Sequence, residues 1–258
     1  MGANGVASLP YCSTSISLSA TAHISYPPYL TGVRQMISRF LRSLGVVQSP
    51  SDSGNGGASV DVKHDKLQRR FTAVYQKNMW MDDESRSGPG SRRDSGSVLH
   101  TLETLDRIVF EHGIQSINDI PCGDFNWIDQ FLRKHPEISY HGFDIVRDAI
   151  EANRLKAPHY KFDVLNIVCE VAPYADLILC KDLLNHLTHT HVFNALENFK
   201  RSGARLLLAS NNFSYENEEL ATNGAAASRH LDILAEPFSV QEPIWHSGYL
   251  GLWDLTKM

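Results

Sequence analysis

A short turn after a predicted strand combines acidic side chains with a single glycine. The run Asp-Ile-Pro-Cys-Gly-Asp-Phe-Asn-Trp occupies residues 119–127 and continues the strand-like segment 116–120. In open α/β sheets, ligands bind beyond the carboxyl ends of the strands, so this turn is the predicted position of a ligand. Gly123 lacks a side chain and therefore allows the backbone to approach that ligand closely.

The composition of the turn distinguishes between two classes of nucleoside cofactor. A dinucleotide site needs the pattern Gly-x-Gly-x-x-Gly, because the pyrophosphate must approach backbone N–H groups at a helix start. Only Gly123 is present, and Asp124 adds negative charge where a pyrophosphate would lie. S-adenosylmethionine carries an ammonium and a sulfonium but no phosphate, so carboxylates favour its binding. We predict that Asp119, Cys122 and Gly123 contact S-adenosylmethionine.

Acidic residues also stand at the ends of the next two predicted strands. Asp144 follows Gly123 by about 20 residues, the spacing at which an acid accepts the ribose hydroxyls of a bound nucleoside. Asp163 lies near the end of the third strand, where its carboxylate or its backbone is placed to reach the adenine amino group. Three acids at successive strand ends indicate a nucleoside site, although each alone is also compatible with ordinary loop chemistry.

The segment after the fourth predicted strand carries side chains suited to proton transfer. Methyl transfer from a sulfonium is an in-line displacement, so the protein mainly orients the two reactants. A general base is useful when the acceptor is a hydroxyl. His186 is the predicted base because imidazole titrates near working pH, and Asp182 is predicted to orient it or to hold the acceptor. Alternatively, His186 caps a helix or fills a polar pocket, and the further candidate His189 marks a solvated helix start.

A polar loop upstream of the turn offers an arginine to the cofactor. This serine loop, residues 84–91, reads Glu-Ser-Arg-Ser-Gly-Pro-Gly-Ser. The planar guanidinium of Arg86 suits the carboxylate of the methionine moiety. The alternative is a flexible polar linker, which composition alone favours. Trp80 is predicted either to stack on adenine or substrate, or to anchor the preceding helix in the core.

These candidates are held by alternating predicted helices and strands. Apolar residues at helical spacing predict helices over 64–78, 97–112, 146–155 and 190–202, and another from Asp124 to about Lys134. Gly113 is the predicted terminator of the second helix. Short apolar or β-prone runs predict strands at 116–120, 138–144, 160–164, 175–180 and 205–210.

The C-terminal runs 237–240 and 250–255 have no helix between them and predict a final strand pair. Strands that alternate with helices indicate a parallel sheet with right-handed crossovers. We therefore predict an α/β fold: a Rossmann-like sheet of seven strands, mostly parallel, with a C-terminal antiparallel strand pair and helices on both faces.

The N-terminal region differs from the remainder in composition. Residues 1–60 are rich in Ser, Gly and Ala, and their first acidic residue is Asp52. Such a composition is typical of an organelle transit peptide, here within residues 1–45, or of a disordered extension. We predict a disordered or targeting extension over residues 1–62 and one folded domain over residues 63–258.

Charge and cysteine usage restrict the partners. A net charge of −5 gives no electrostatic reason to expect nucleic acid, and a small-molecule acceptor agrees with it better. No apolar run approaches the ~18–20 residues of a membrane span. The four cysteines show no Cys-x-x-Cys spacing, so we expect no metal site and reduced thiols in a cytoplasmic protein.

The stretch from about 64 to 256 resembles a class I S-adenosylmethionine-dependent methyltransferase. Within that superfamily it is similar to a group of small-molecule or sugar-type methyltransferases that shares Trp80, the runs at 84–91 and 119–127, and a signature Arg-Asp-x-x-x-His-Leu. Here the signature reads Lys-Asp-Leu-Leu-Asn-His-Leu at 181–187, with lysine in place of the usual arginine. The resemblance implies the cofactor and the reaction type, and it favours functional roles for Arg86 and His186.

The expected function is therefore methylation, with the oxygen of a small-molecule or sugar-like acceptor as the favoured target. A catalytically silent, methyltransferase-like binding subunit is one alternative, and the intact 119–127 run argues against it. A nucleotide-dependent oxidoreductase is another, and the missing second and third glycines argue against that. The sequence leaves the oligomeric state open.

Overall fold

The described chain consists of residues 57–221 and 224–258 of a computed structural model. The predictions for residues 1–56, including the targeting segment, lie outside this range. The first helix begins at Gly57, ahead of residue 63, where the sequence predicts that the domain starts. The division of the chain into an extension and a domain stays a prediction.

Helices and strands alternate along the described residues. The helices are α1 (Gly57–Gln76), α2 (Gly96–His112), α3 (Asp129–Lys134), α4 (Arg147–Lys156) and α5 (His189–Arg201). The strands are β1 (Ser116–Asp119), β2 (Ser139–Asp144), β3 (Lys161–Val164), β4 (Leu177–Cys180), β5 (Leu206–Ser210), β6 (Trp245–Ser247) and β7 (Leu250–Asp254). Short 3-10 turns occupy Pro89–Ser91 and Leu184–His186. Across this range no helix combines the length and apolarity that a membrane crossing requires.

One seven-stranded sheet organises the chain in the order β3-β2-β1-β4-β5-β7-β6. Neighbouring strands from β3 to β5 are parallel, whereas β7 runs antiparallel to both β5 and β6. The predicted fold class is confirmed. Because β1 lies between β2 and β4, the strand order reverses beside β1, and the ends of β1 and β4 form the crevice in which such sheets bind ligands.

The sheet separates two apolar cores, and consecutive residues of its central strands face opposite cores. In β4, Ile178 packs with the core that contains α1 and α5, whereas Leu177 and Leu179 pack with the core that contains α2 and α3. The neighbouring β5 alternates in the same way. A strand that is covered on both faces has no polar side, which explains the continuously apolar β4. Helices therefore cover both faces, as predicted.

Helix α2 is delimited by local sequence signals. The side chain of Ser95 accepts a hydrogen bond from the Val98 N–H at the helix start, which satisfies one unpaired donor. Gly113 ends the helix in the left-handed conformation, with φ 60° and ψ 43°, and donates its N–H to the Val109 carbonyl. The prediction of Gly113 as the terminator is confirmed.

Two local predictions are wrong. The run 237–240 forms a turn instead of a strand, because the N–H groups of Phe238 and Ser239 both donate to the Ala235 carbonyl. The strand that pairs with β7 is β6, which lies further along the chain. Helix α3 begins at Asp129 rather than after Asp124, because Phe125 has a φ of 52°, which is incompatible with a right-handed helix.

Replacement of Leu208 by alanine tests the doubly covered sheet. Leu208 lies in β5 and is fully buried, so Leu208→Ala removes apolar contacts and leaves a cavity. We expect the free energy of unfolding to fall by about 2–5 kcal/mol in chemical denaturation. Leu155→Ala is the matched control, because Leu155 is 86% exposed and its truncation should change stability by less than about 0.5 kcal/mol. Equal effects of the two replacements would contradict the described packing.

Candidate functional site

A cavity opens where the turn after β1 meets the segment after β4, at the crevice beside β1. It measures about 840 Å³ with its open mouth included, within the size range of small-molecule sites. Five of the predicted site residues line it together, namely Cys122, Gly123, Asp144, Asp182 and His186. Trp80 also lines it and is not buried in the core.

Asp144 connects the end of β2 to the turn after β1. Its Oδ2 accepts the Gly123 N–H at 3.1 Å, and its Oδ1 accepts the Val146 N–H at 2.8 Å. Burial raises the pKa of Asp144 to about 6, although these backbone hydrogen bonds favour the ionised form. A cation or a hydroxyl donor bound beside this carboxylate would further favour its ionised form, so Asp144 is suited to a polar, positively charged ligand.

Asp124 joins the turn after β1 to the serine loop. Its carboxylate accepts hydrogen bonds from Ser85 Oγ at 3.0 Å, from the Arg86 N–H at 2.8 Å and from Ser87 Oγ at 3.2 Å. Hydrogen bonds to an ionised acceptor are stronger than neutral ones. The serine loop is therefore held in a defined conformation and is not the flexible linker that its composition favours.

Gly123 is required by the closeness of the serine loop. Its φ is 52°, a left-handed conformation that side chains disfavour, and a Cβ atom at this position would lie 2.1 Å from Ser87 Oγ. The single glycine of the turn thus permits contact between two segments of the protein. The sequence prediction attributed this glycine to ligand approach alone.

Asp119 lies beneath the cavity and does not line it. It is buried and accepts a hydrogen bond from the Tyr140 hydroxyl at 2.8 Å. Burial, opposed by the hydrogen bond from Tyr140 and by Lys181 and reinforced by Asp144, raises the pKa of Asp119 to about 7. The predicted direct contact of Asp119 with a cofactor is not supported by this position, because its side chain does not reach the cavity wall.

Two other predicted contacts lie outside the cavity wall. The side chain of Arg86 is exposed, with Nη1 3.5 Å from the Gln76 carbonyl, and only its backbone N–H takes part in the hydrogen bonds of the serine loop. The carboxylate of Asp163 is 55% exposed and forms an ion pair with Arg154 at 2.6 Å. It is also hydrogen-bonded to His141, so its oxygens are engaged at the protein surface.

Lys181 is a site residue that the sequence prediction did not assign. Its side chain is buried at the cavity, where Nζ donates to the Gly90 carbonyl at 3.0 Å and to Asp182 Oδ2 at 2.5 Å. The other oxygen of Asp182 accepts a hydrogen bond from Ser210 Oγ at 3.0 Å. Lysine can take the place of arginine here, because the position requires a positive charge and two hydrogen bonds but not the planar, bidentate geometry of a guanidinium. Its position directly before Asp182 in the signature was the available signal.

His186 is oriented by a backbone carbonyl and not by Asp182. Its Nδ1 lies 2.9 Å from the Ala227 carbonyl, an acceptor only, so Nδ1 is assigned the proton and Nε2 remains the accepting nitrogen. Burial lowers the pKa of His186, which keeps the imidazole neutral near pH 7. The ring centroid lies 5.5 Å from that of Trp80. The predicted orientation of His186 by Asp182 is not observed, and Nε2 of the neutral imidazole keeps its lone pair.

His189 does not line the cavity. It is the first residue of α5, where Thr188 caps the helix, and its Nε2 is 3.0 Å from the Glu218 carbonyl. This is the helix-start position that the sequence indicated as the alternative.

A smaller apolar recess adjoins the main cavity. It measures about 320 Å³ and shares Asp144 and Leu183 with the main cavity. Leu165 and Asn166, which directly follow β3, form part of its wall. The sequence prediction singled out Asp163, which lies on the same strand but does not line the recess, because an acid is a more visible signal than the leucine and the asparagine that follow the strand. Within the described range, no group of three or more His, Cys, Asp or Glu side chains could hold a metal ion.

Asp119→Asn tests the buried carboxylate beneath the cavity. The pKa of Asp119 is raised from 3.8 to about 7, so between these pH values the folded protein binds a proton that the unfolded chain has lost. Stability therefore falls as pH rises from about 4 to 7, by on the order of 3 kcal/mol. Asparagine can still accept from Tyr140 but does not titrate. We expect a flatter dependence of unfolding free energy on pH in Asp119→Asn, and identical slopes would refute the assignment.

Asp124→Ala tests the attachment of the serine loop. The loss of its carboxylate removes the acceptor of the Arg86 N–H, and we expect amide hydrogen exchange at Arg86 to accelerate roughly tenfold or more. Asp163→Ala is the matched control, because that carboxylate is also hydrogen-bonded but does not contact the serine loop. Unchanged exchange at Arg86 in Asp124→Ala would show that other contacts hold the loop.

Comparisons with known proteins give partial matches. No family model matches the chain. A stretch of 80 residues is 28% identical to Methyltransferase ungE' of Aspergillus campestris. This stretch covers 27% of this chain and 23% of that protein. Thus the match spans about a quarter of that relative's length. Among solved structures, the chain is similar to SAM-bound CalS10, an amino pentose methyltransferase from Micromonospora echinaspora. The identity is 16% and the TM-score is 0.41, and the match covers 50% of this chain and 56% of CalS10. Magnesium protoporphyrin IX methyltransferase ChlM from Synechocystis PCC 6803, with bound SAH, has 13% identity, a TM-score of 0.44, and coverage of 57% and 71%.

Proposed function

We propose that this protein is an S-adenosylmethionine-dependent methyltransferase that methylates the oxygen of a small-molecule or sugar-like acceptor. The observation that carries the proposal is a single cavity, at the crevice beside β1, that combines a buried carboxylate with a neutral imidazole. The carboxylate is suited to bind a cationic nucleoside, and the imidazole is suited to accept the proton of a hydroxyl acceptor. The partial match to a methyltransferase from Aspergillus campestris supports the same reaction class.

The residues present fit S-adenosylmethionine. Asp144 would accept the ribose hydroxyls, and the apolar recess with Leu165 and Asn166 would hold the adenine ring. The acidic side chains at the cavity, Asp124 among them, favour a ligand without phosphate. When bound, this cofactor supplies an activated methyl group on a good leaving group. The chain's task is therefore to orient the acceptor and to remove its proton.

In this proposal His186 would accept the proton of the acceptor hydroxyl on Nε2, which makes the hydroxyl oxygen a better nucleophile for the methyl group that the bound cofactor would supply. The Ala227 carbonyl keeps its hydrogen bond from Nδ1 and stabilises the positive charge that the ring acquires. Lys181 and Asp182 form a fixed ion pair in the cavity wall, where they offer hydrogen bonds to a polar acceptor. Trp80 packs beside the imidazole and excludes water from one side of it.

The two alternatives differ from this proposal at separate points. A silent binding subunit would use the cavity without turnover, and the burial of His186 with an unengaged Nε2 argues against it. An oxidoreductase would need a pyrophosphate beside the turn after β1. Asp124 and Asp144 both face that space, which makes an anionic group unfavourable there.

A pair of variants separates cofactor binding from chemistry. We expect wild-type protein to bind S-adenosylmethionine in isothermal titration, and Asp144→Ala to lose affinity at least about tenfold, since a charge-assisted hydrogen bond contributes ~1.5–3 kcal/mol. His186→Ala should keep its affinity and lose turnover by ~10²–10⁴-fold in a methyl-donor screen across sugars, phenols and small acids. Asp163→Ala, a carboxylate outside the cavity, should match wild type in both assays.

The outcomes discriminate among the functions. Binding of the nucleoside without turnover on any acceptor would favour the silent subunit. Absence of binding heat in the folded wild type, together with binding of a nicotinamide dinucleotide, would favour the oxidoreductase. Equal affinity of wild type and Asp144→Ala would overturn the ribose assignment.

A further inference from the structure

A guanidinium on α1 donates hydrogen bonds to the carbonyl of His186 and to the carbonyl that binds its imidazole ring. Arg70 Nη1 donates to the carbonyl of His186 itself at 3.1 Å, and Nη2 donates to the Ala227 carbonyl at 3.2 Å. Its Nε donates to the Ala225 carbonyl at 2.7 Å. One side chain thus joins α1, the 3-10 turn after β4 and the segment that follows β5.

The Ala227 carbonyl is shared between Arg70 and the imidazole. It accepts Nη2 of Arg70 and also Nδ1 of His186, the latter at 2.9 Å. A carbonyl oxygen has two lone pairs, so both hydrogen bonds form together. The carbonyl belongs to a segment without regular secondary structure, which is held by a few backbone hydrogen bonds, such as that from the Arg229 N–H to the Asn185 carbonyl, and by the side chains that bind it.

The planar fork of Arg70 is itself held in place. Its neighbour Phe71 is buried in the core beneath α1 and also lines the main cavity. The guanidinium is half-buried and donates only to backbone carbonyls, with no acidic partner among its hydrogen bonds. A cation used in this way fixes geometry, since three donors of known direction meet three carbonyls.

We infer that Arg70 is a positioning residue for the proposed reaction: it holds the Ala227 carbonyl against Nδ1 of His186 and so fixes the tautomer in which Nε2 accepts a proton. The inference rests on the proposed function only in its catalytic consequence. The tautomer itself is a property of the protein without substrate.

The alternative is that Arg70 only stabilises the segment around Ala227. That role would change stability but would leave the tautomer of His186 and the catalytic step unaltered. The charged groups that act on the imidazole are Arg70, Arg229 and Asp182, so Arg70→Lys, which keeps the charge, is needed beside Arg70→Gln, which removes it.

Nitrogen-15 NMR of the His186 ring, above its pKa, tests the inference directly. In wild type we expect the neutral ring to carry its proton on Nδ1. In Arg70→Gln we expect a mixture of the two tautomers, with a smaller change in Arg70→Lys. Lys66→Gln, which removes an exposed cation from the same helix, should leave the wild-type spectrum unchanged.

The kinetic consequence is measured on the same variants. Arg70→Gln should keep the affinity of wild type for S-adenosylmethionine and lose kcat by about 10–100-fold, as expected for a misplaced base. Arg70→Lys should recover part of this loss. A ring that carries its proton on Nε2 in wild type overturns the inference even if no variant folds. A folded Arg70→Gln with wild-type tautomer and kcat overturns it as well, whereas absence of nucleoside binding in wild type overturns only the proposed function.

Discussion

The hydrogen bonds that the Asp124 carboxylate accepts from the serine loop are the contact on which the cavity wall depends. They attach a loop that precedes the sheet to the turn after β1. From the same loop, the Gly90 carbonyl receives Lys181 Nζ at the end of β4. Asp182 then extends the connection to Ser210 at the end of β5. A single series of hydrogen bonds thus links the ends of three strands through one loop, and the absence of a side chain at Gly123 makes its closure possible.

Charge burial at this site follows from the same arrangement. Asp119 and Asp144 are both buried; the charge of Asp144 raises the cost of ionising Asp119, and the charge of Asp124 raises that of ionising Asp144. Lys181 is also buried, and its charge lowers the pKa of Asp119. A bound cation would lower the free-energy cost of ionising both carboxylates. Repulsion between negative charges in the free protein would then be offset by attraction to a ligand of positive charge. Buried acids of this kind are costly for stability and are typical of functional sites.

The imidazole lies at the other side of the cavity and depends on different contacts. The Ala227 carbonyl, which also accepts a hydrogen bond from Arg70, orients His186, whereas Asp182 is held by Lys181 and Ser210. Asp182 and His186 of the signature after β4 therefore do not form a hydrogen-bonded pair, although the charge of Asp182 still acts on the imidazole. The cavity thus combines a fixed ion pair with a neutral imidazole, because a directly paired carboxylate would favour the charged imidazolium.

Sequence by itself determined the fold class, the limits of most elements and the turn after β1, because these features depend on local patterns. The apolar run of β4 and the caps of α2 are read from neighbouring residues. Tertiary structure alone decided which polar groups reach the cavity. Asp163 pairs with Arg154 at the surface, Arg86 contributes its backbone, and the Ala227 carbonyl orients His186. The physical reason is that each of these positions is set by a hydrogen bond or ion pair between chain segments, and side-chain periodicity carries no information about such partners.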